Sequence, residues 1–270
     1  MSLKTFPDIE QGTDEWLAVR RGIITASVMG QLVGHRTLTA IEHPCPSCGA
    51  DRLMSCIGKR DGAPIKTMHP ERTTAAKDNP STVIAAIDGD QARSLALVIA
   101  AERIADFTEP VFVNYDMMRG HEDEPRAVAE YERRTGATVT HLGFMKNTIR
   151  GHVVGYSPDG LVGDAGLIEC KSRRQKKHLS TMLADDVPPE NMAQLQTGLM
   201  VSGREWCDYV SYCGGWPAYI TRVTPDPRWQ DAIADAVERF EETVEQMVLT
   251  YFNRYGSLPK TERVIEQEIF

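Results

Sequence analysis

Apolar residues recur along the chain at two spacings, and each predicts its own kind of element. From Trp229 onward, Ile233, Val237, Phe240, Val244, Met247 and Tyr251 follow at intervals of three or four. That stripe predicts one long amphipathic helix over 226–256, with Glu238, Glu241, Glu242 and Glu245 on a solvated outer face. Two short helices are predicted over 12–34. Thr13 caps the first, which carries Trp16, Leu17 and Arg20 and stops near Gly22; Thr25 caps the second, with Val28, Met29, Leu32 and Val33 inward and Gly34 at its end. The alanine-rich run 95–101 reads as a core helix. A further helix runs through Val128, Tyr131 and Glu132 to Gly136, and Pro188-Pro189 opens another with Met192, Leu195, Leu199 and Met200 inward. Extended runs are expected at Val153-Val154, at 167–171, at 206–213 and at 218–223. Helices alternating with short strands give an α/β layout, a short central mixed sheet flanked by helices.

Length and charge narrow the setting. A chain of 270 residues can bury one large core carrying an insertion. With 41% hydrophobic and 25% charged residues the composition is that of a soluble globular protein. No apolar run approaches the roughly 20 residues of a bilayer span, and the N-terminus has no signal-peptide pattern, so a cytoplasmic setting is expected. Six unevenly spaced cysteines do not form a disulfide framework. A net charge of -8 gives no overall attraction to nucleic acid, so any such binding must come from local basic patches and metal ions.

Residues 35–82 break the periodicity and are rich in Pro, Gly, Thr, Lys and Arg. Within them Cys45-Pro46-Ser47-Cys48-Gly49 has the form of a zinc-ribbon knuckle, a tight turn aiming two thiolates at one ion. Cys56 is a third candidate ligand, and either His69 or His43 can be the fourth. A segment this poor in apolar residues would gain order from a structural zinc ion.

The chemistry concentrates at Gly155-Tyr156-Ser157-Pro158-Asp159-Gly160 and at Glu169-Cys170-Lys171. Pro158 ends one strand, and Gly163-Asp164-Ala165-Gly166 turns the chain into the next. A hairpin return places Asp159 beside Glu169, while strand alternation puts Glu169 and Lys171 on one face. Two carboxylates and an ammonium suit a magnesium ion that orients water against a phosphate. Just beyond, the run 171–177 holds five basic residues in seven, Lys171, Arg173, Arg174, Lys176 and Lys177, placed to follow a phosphate backbone without sequence preference.

Asp159, Glu169 and Lys171 resemble the PD-(D/E)xK nuclease signature, and the chain around them resembles the phage lambda exonuclease and YqaJ-type viral recombinase nucleases. Three further motifs carry the resemblance: Trp16 to Ser27, Gly120-His121-Glu122-Asp123-Glu124-Pro125-Arg126-Ala127, and Met192-Ala193-Gln194-Leu195-Gln196. The resemblance implies a restriction-endonuclease-like core in a single nuclease domain over 1–270, with the Cys-containing 35–82 as an insertion. Asp159, Glu169, the Cys170 carbonyl and Glu124 would hold two Mg2+ (or Mn2+) ions. Lys171 would assist the water, Gln194 would stand near the scissile phosphate, and Arg20 and Ser27 would hold phosphate. Glu122 and Asp123 are expected to be a solvated helix start favoured by the dipole. Tyr115 stands where some relatives carry lysine, so that auxiliary role does not transfer. The implied activity is degradation of duplex DNA from its ends, 5′ to 3′, for phage-type recombination, with a single-strand annealing protein as partner and a homotrimeric ring as assembly. Two alternatives remain beside it: a structure-specific endonuclease on the same core, and a zinc-stabilised DNA-binding or adaptor module with an inactive core.

Overall fold

A computed structural model describes residues 3–110 and 114–264. In chain order the strands are β1 (Lys4–Phe6), β2 (Ile24–Thr25), β3 (Val33–Thr37), β4 (Thr82–Ala86), β5 (Val139–Thr140), β6 (Phe144–Ile149), β7 (His152–Tyr156), β8 (Gly160–Val162), β9 (Gly166–Ser172), β10 (Trp206–Tyr212) and β11 (Tyr219–Val223). The helices are α1 (Asp14–Arg20), α2 (Pro70–Asp78), α3 (Asp90–Ala105), α4 (Tyr115–Thr135), α5 (Gln175–Ala184), α6 (Pro189–Ser202) and α7 (Pro227–Tyr255).

Three sheets result. The largest runs β11-β10-β9-β8-β5, with β9 and β10 parallel and the other pairs antiparallel. A second runs β1-β6-β7-β2, and β3 pairs with β4 as a separate ribbon. Alternation along β9 and β10 splits their side chains between two cores. Leu167, Cys207 and Tyr209 join the main cluster with Leu195, Leu199 and the inner stripe of α7. Ile168 and Val210 face the other way, against Ala127 and Tyr131 of α4. The short mixed sheet is thereby covered by helices on both faces, as the periodicity predicts. The stripe of α7 is buried from Trp229 through Val244. Among the described residues no helix is long and apolar enough to cross a membrane.

Local differences from the sequence reading have physical causes. Thr13 caps α1, accepting the Trp16 N–H. The second expected helix is a short 3-10 segment, Ala26–Gln31, because Val33 to Thr37 are needed in register with Ala86 to Thr82. Gly34 is therefore a strand residue, and the Thr25 hydroxyl, instead of capping, meets Arg20 and Ser27. The ribbon also trims the insertion: 35–37 and 82 lie in paired strands, so the excursion proper is 38–81. Helix α4 begins at Tyr115, well ahead of Val128, with Asn114 as its cap and Pro125 inside it. Glu241 is not on a solvated face; it is buried and paired with Arg103 of α3. Residues 257–264 are exposed and without helix or strand, while 265–270 of the expected loose tail lie outside the described residues.

Candidate active site

Strand β7 belongs to one sheet and β8 to the other, so Ser157-Pro158-Asp159 crosses where the two sheets meet. Strand β8 covers β9 only from Gly166 to Ile168. Beyond Ile168 that edge of β9 carries no partner from β8. The Asp159 carboxylate takes its place, accepting the Cys170 N–H at 2.6 Å. Glu169, 1% exposed, accepts three donors: Tyr156 Oη at 3.1 Å, Lys171 Nζ at 2.7 Å and Gln194 Nε2 at 2.5 Å. The Gln194 bond requires α6 to lie close. One turn later Gly198 faces the Tyr156 ring, and a Cβ there would stand 2.8 Å from Tyr156 Cζ.

These groups line a cavity of about 310 Å³ together with Glu124, Arg20 and Ser27. Three carboxylates face one ammonium, and Asp159 and Glu124 carry the consequence. Burial, then Glu169 and Glu124, raise the Asp159 carboxyl well above its usual range, against the opposing pull of Lys171 and the Cys170 N–H. Burial and Glu169 likewise raise Glu124. Burial works to discharge Lys171, but Glu169 and Asp159 outweigh it and hold the amine above its ordinary value. A divalent cation fits this donor set: hard oxygens, excess negative charge, and the main-chain edge of Cys170 close by. Glu124, Asp159 and Glu169 do not all come within 4.8 Å of one another in this conformation.

At the far wall Arg20 stacks on Trp16, 3.9 Å from its ring centroid. Trp16 Nε1 donates to Ser157 Oγ at 2.9 Å, which ties this wall to the crossover. Arg20 donates to the neutral Thr25 Oγ1 at 3.3 Å, and Thr25 meets Ser27 at 3.1 Å. Burial works against the Arg20 charge, only partly offset by Glu102. An under-solvated guanidinium with hydroxyls beside it is suited to an anion.

The basic run divides. Lys171 points into the cavity. Arg173 turns inward, bonding Asn191 Oδ1 at 2.6 Å and Tyr209 Oη at 3.3 Å. Arg174 pairs with Asp116, and Lys177 with Glu190. Neither these three nor Lys176 lines the cavity. Asp123 corrects another expectation: 8% exposed, it accepts Ser172 Oγ at 2.6 Å, and Arg119 completes the link to the same hydroxyl at 3.0 Å. Asp123 thus fastens α4, and with it Glu124, to the strand residue after Lys171; Glu122 is exposed. Tyr156, the phenol beneath Glu169, was hidden in the sequence by its place in an ordinary apolar strand.

The cysteines form a separate group. One atom each from Cys45, Cys48, Cys56 and His69 lie within 4.8 Å of one another. Cys45 Sγ stands 3.6 Å from His69 Nδ1, and main-chain N–H groups of Ile57 and His69 reach Cys48 and Cys56 at 3.4 Å. The Ile57 and Ala50 N–H donors pull the Cys48 thiol down to about 6. Of the two histidines His69 is in the group; His43 is not, and its buried Nε2 has no hydrogen-bond partner among the described residues. A second close set, His152 with Glu241 and Glu245, is already met by Arg103 on Glu241.

Residues 74–205 match the model of the YqaJ-like viral recombinase domain. The alkaline exonuclease LHK-Exo from Laribacter hongkongensis is 27% identical, with a TM-score of 0.63 over 92% of this chain and 100% of that one. Its complex with dAMP gives 27% and 0.64 over the same shares. A phage related exonuclease from Haemophilus somnus 129PT, 11% identical, is similar in fold, with a TM-score of 0.50 over 84% of this chain and 96% of that one. No curated protein matches the chain. The matched segment runs from α2 to the residue before β10 and holds Glu124, Asp159, Glu169, Lys171 and Gln194, so over 74–205 the chain is similar to the YqaJ-like viral recombinase domain, on a fold similar to that of alkaline exonuclease.

Proposed function

We propose that the protein is a divalent-metal-dependent deoxyribonuclease that shortens duplex DNA from its ends, 5′ to 3′. The observation that carries this reading is the single cavity in which Asp159, Glu169, Glu124 and Lys171 face Arg20 and Ser27. Asp159, Glu169, Glu124 and the Cys170 carbonyl would hold Mg2+ or Mn2+, two ions in the full complement. Such ions, when bound, offset the carboxylate charge and supply a water acidic enough to attack phosphorus at neutral pH. Lys171, kept charged by Glu169 and Asp159, donates to the attacking water or to the phosphate oxygen that gains charge. Gln194 and Tyr156 fix the Glu169 carboxylate from two sides. Arg20 and Ser27 seat a phosphate across the cavity, which suits a substrate with a free end. Arg174, Lys176 and Lys177, outside the cavity, would meet duplex further along.

In the same reading the single strand left by resection passes to a single-strand annealing protein in phage-type recombination, three copies ring the duplex, and the work is done in the cytoplasm. The cysteine group holds a structural zinc ion apart from the reaction.

Linear, nicked and circular duplexes incubated with and without magnesium test the activity. Loss from ends only, and only with magnesium, is expected; cleavage of closed circles would replace the end-specific reading with an endonuclease. Arg20→Ala should raise KM for 5′-phosphorylated ends about tenfold or more, the worth of a charge-assisted contact, with little change on 5′-hydroxyl ends. An equal effect on both would remove Arg20 from the phosphate. Tyr156→Phe deletes one of the three donors to Glu169 and should lower kcat about tenfold while the fold survives, as the ring is retained.

A further inference from the structure

The excursion 38–81 encloses a cation that no carboxylate among the described residues answers. Arg72, in the first turn of α2, is 0% exposed. All five of its N–H donors are used. Nε goes to the His43 carbonyl at 2.8 Å, and Nη1 goes to the Met54 carbonyl at 2.7 Å and to Cys56 Sγ at 3.6 Å. Nη2 goes to the carbonyls of Ile41 at 2.9 Å and Asp51 at 2.8 Å. The carbonyls satisfy its hydrogen bonds without cancelling its charge, and a buried ion left uncompensated costs several kcal/mol. Its remaining hydrogen-bond acceptor among the described residues is the Cys56 sulfur.

Resting on the zinc reading above, we infer that the excursion is a closed zinc centre of net charge minus one, held by the Cys45, Cys48 and Cys56 thiolates and His69, with buried Arg72 as its built-in counter-charge. The arithmetic selects the ligand set. Three thiolates, a neutral imidazole and a divalent ion sum to minus one, which Arg72 cancels; two thiolates would leave the guanidinium unanswered, and four would leave a surplus anion. The sulfur-rich set takes zinc in preference to the hard ions suited to Asp159 and Glu169. Four protein ligands close a tetrahedron, so no position is left for substrate and the centre is structural. The excursion needs it. Its own apolar cluster is Ala50 and Ile65 around the cysteines themselves, too little burial to order a segment of this length. Arg72 then joins the parts, binding carbonyls on both sides of the knuckle while facing its charge.

Protein expressed with added zinc should carry one zinc per chain by mass spectrometry. Its cobalt(II) form should show tetrahedral bands with a thiolate-to-metal absorption of three-sulfur intensity. In competition against a chromophoric chelator, Arg72→Gln should lower zinc affinity about 10- to 100-fold. Arg72→Lys keeps the charge, loses the fork, and should retain more affinity than Arg72→Gln. Absence of zinc, or two-sulfur intensity, overturns the zinc centre. Equal losses in the two Arg72 variants, or no loss in either, overturn the counter-charge and leave the zinc reading standing. The nuclease reading is judged by the duplex assay alone and survives either result.

Discussion

Asp159→Asn is expected to reduce magnesium-dependent cleavage by three orders of magnitude or more and, in the same protein, to raise the melting temperature measured without magnesium. The first effect follows from removing a carboxylate placed to hold the ion, whose stabilisation of developing charge is worth several kcal/mol. The second follows from the raised Asp159 carboxyl. Its folded form keeps a proton that the unfolded chain releases near pH 4. The folded state therefore loses stability as pH rises above about 4 toward the raised value, and the penalty is complete beyond it. Asparagine carries no such penalty and can still accept the Cys170 N–H. Each kcal/mol so released should lift Tm by about 2–4 °C at neutral pH, with the difference closing near pH 4. Magnesium should raise the wild-type Tm and leave the variant nearly unmoved. A variant that cleaves at the wild-type rate would remove Asp159 from the site. Equal melting curves at neutral pH would remove the electrostatic account.

What sequence could show was decided by how local each feature is. Asp159 and Glu169 are joined by a hairpin turn, so proline, glycine and strand alternation bring them together within about a dozen residues. The α7 stripe is equally self-contained. Asp123 was not legible because what buries it is Ser172, 49 positions away. Arg173 reads as part of a basic run until Asn191 and Tyr209, from other elements, claim it. The 3-10 segment after Thr25 has a helical pattern of apolar residues, but strand pairing with 82–86 overrides it. Arg72 lies in the least periodic part of the chain, where its role depends on four loop carbonyls that no pattern announces. The functional cluster is legible; the groups that hold it still are mostly not.

Helix α4 illustrates that division. Its Glu124 follows from a motif, yet its position is set by Asp123 on Ser172 and, two turns on, by Tyr131, whose hydroxyl donates to Asp208 at 2.7 Å. Asp208 is held in turn by both sides of the Arg222 fork, and Arg222 lies 3.5 Å over Trp206. Both anchors are on strands of the large sheet, so the sheet sets the distance between Glu124 and the β9 carboxylate.

Gly198→Val is the second variant with a large expected effect, and it acts without touching substrate. Even a single Cβ would come within 2.8, 2.9 and 3.2 Å of three Tyr156 ring carbons. The ring is fully buried and its hydroxyl is committed to Glu169, so it cannot swing away cheaply. Helix α6 must retreat instead. Overpacking of this kind costs about 1–3 kcal/mol, and the branched side chain adds a smaller helix penalty. A fall in Tm on the order of 5–10 °C is expected. Gln194, one turn earlier on the same face, moves with the helix and loses its 2.5 Å bond to Glu169. A displacement near 1 Å at such a group lowers turnover about 10²-fold. The loss should appear in kcat more than in KM, because Arg20 stands on α1, away from α6, and keeps its place. Gly198→Ala, with one carbon in place of three, should show the same signs at smaller size. Unchanged kcat in the valine variant, with its Tm lowered, would separate the packing of α6 from the setting of Glu169 and leave Gln194 without a part in it.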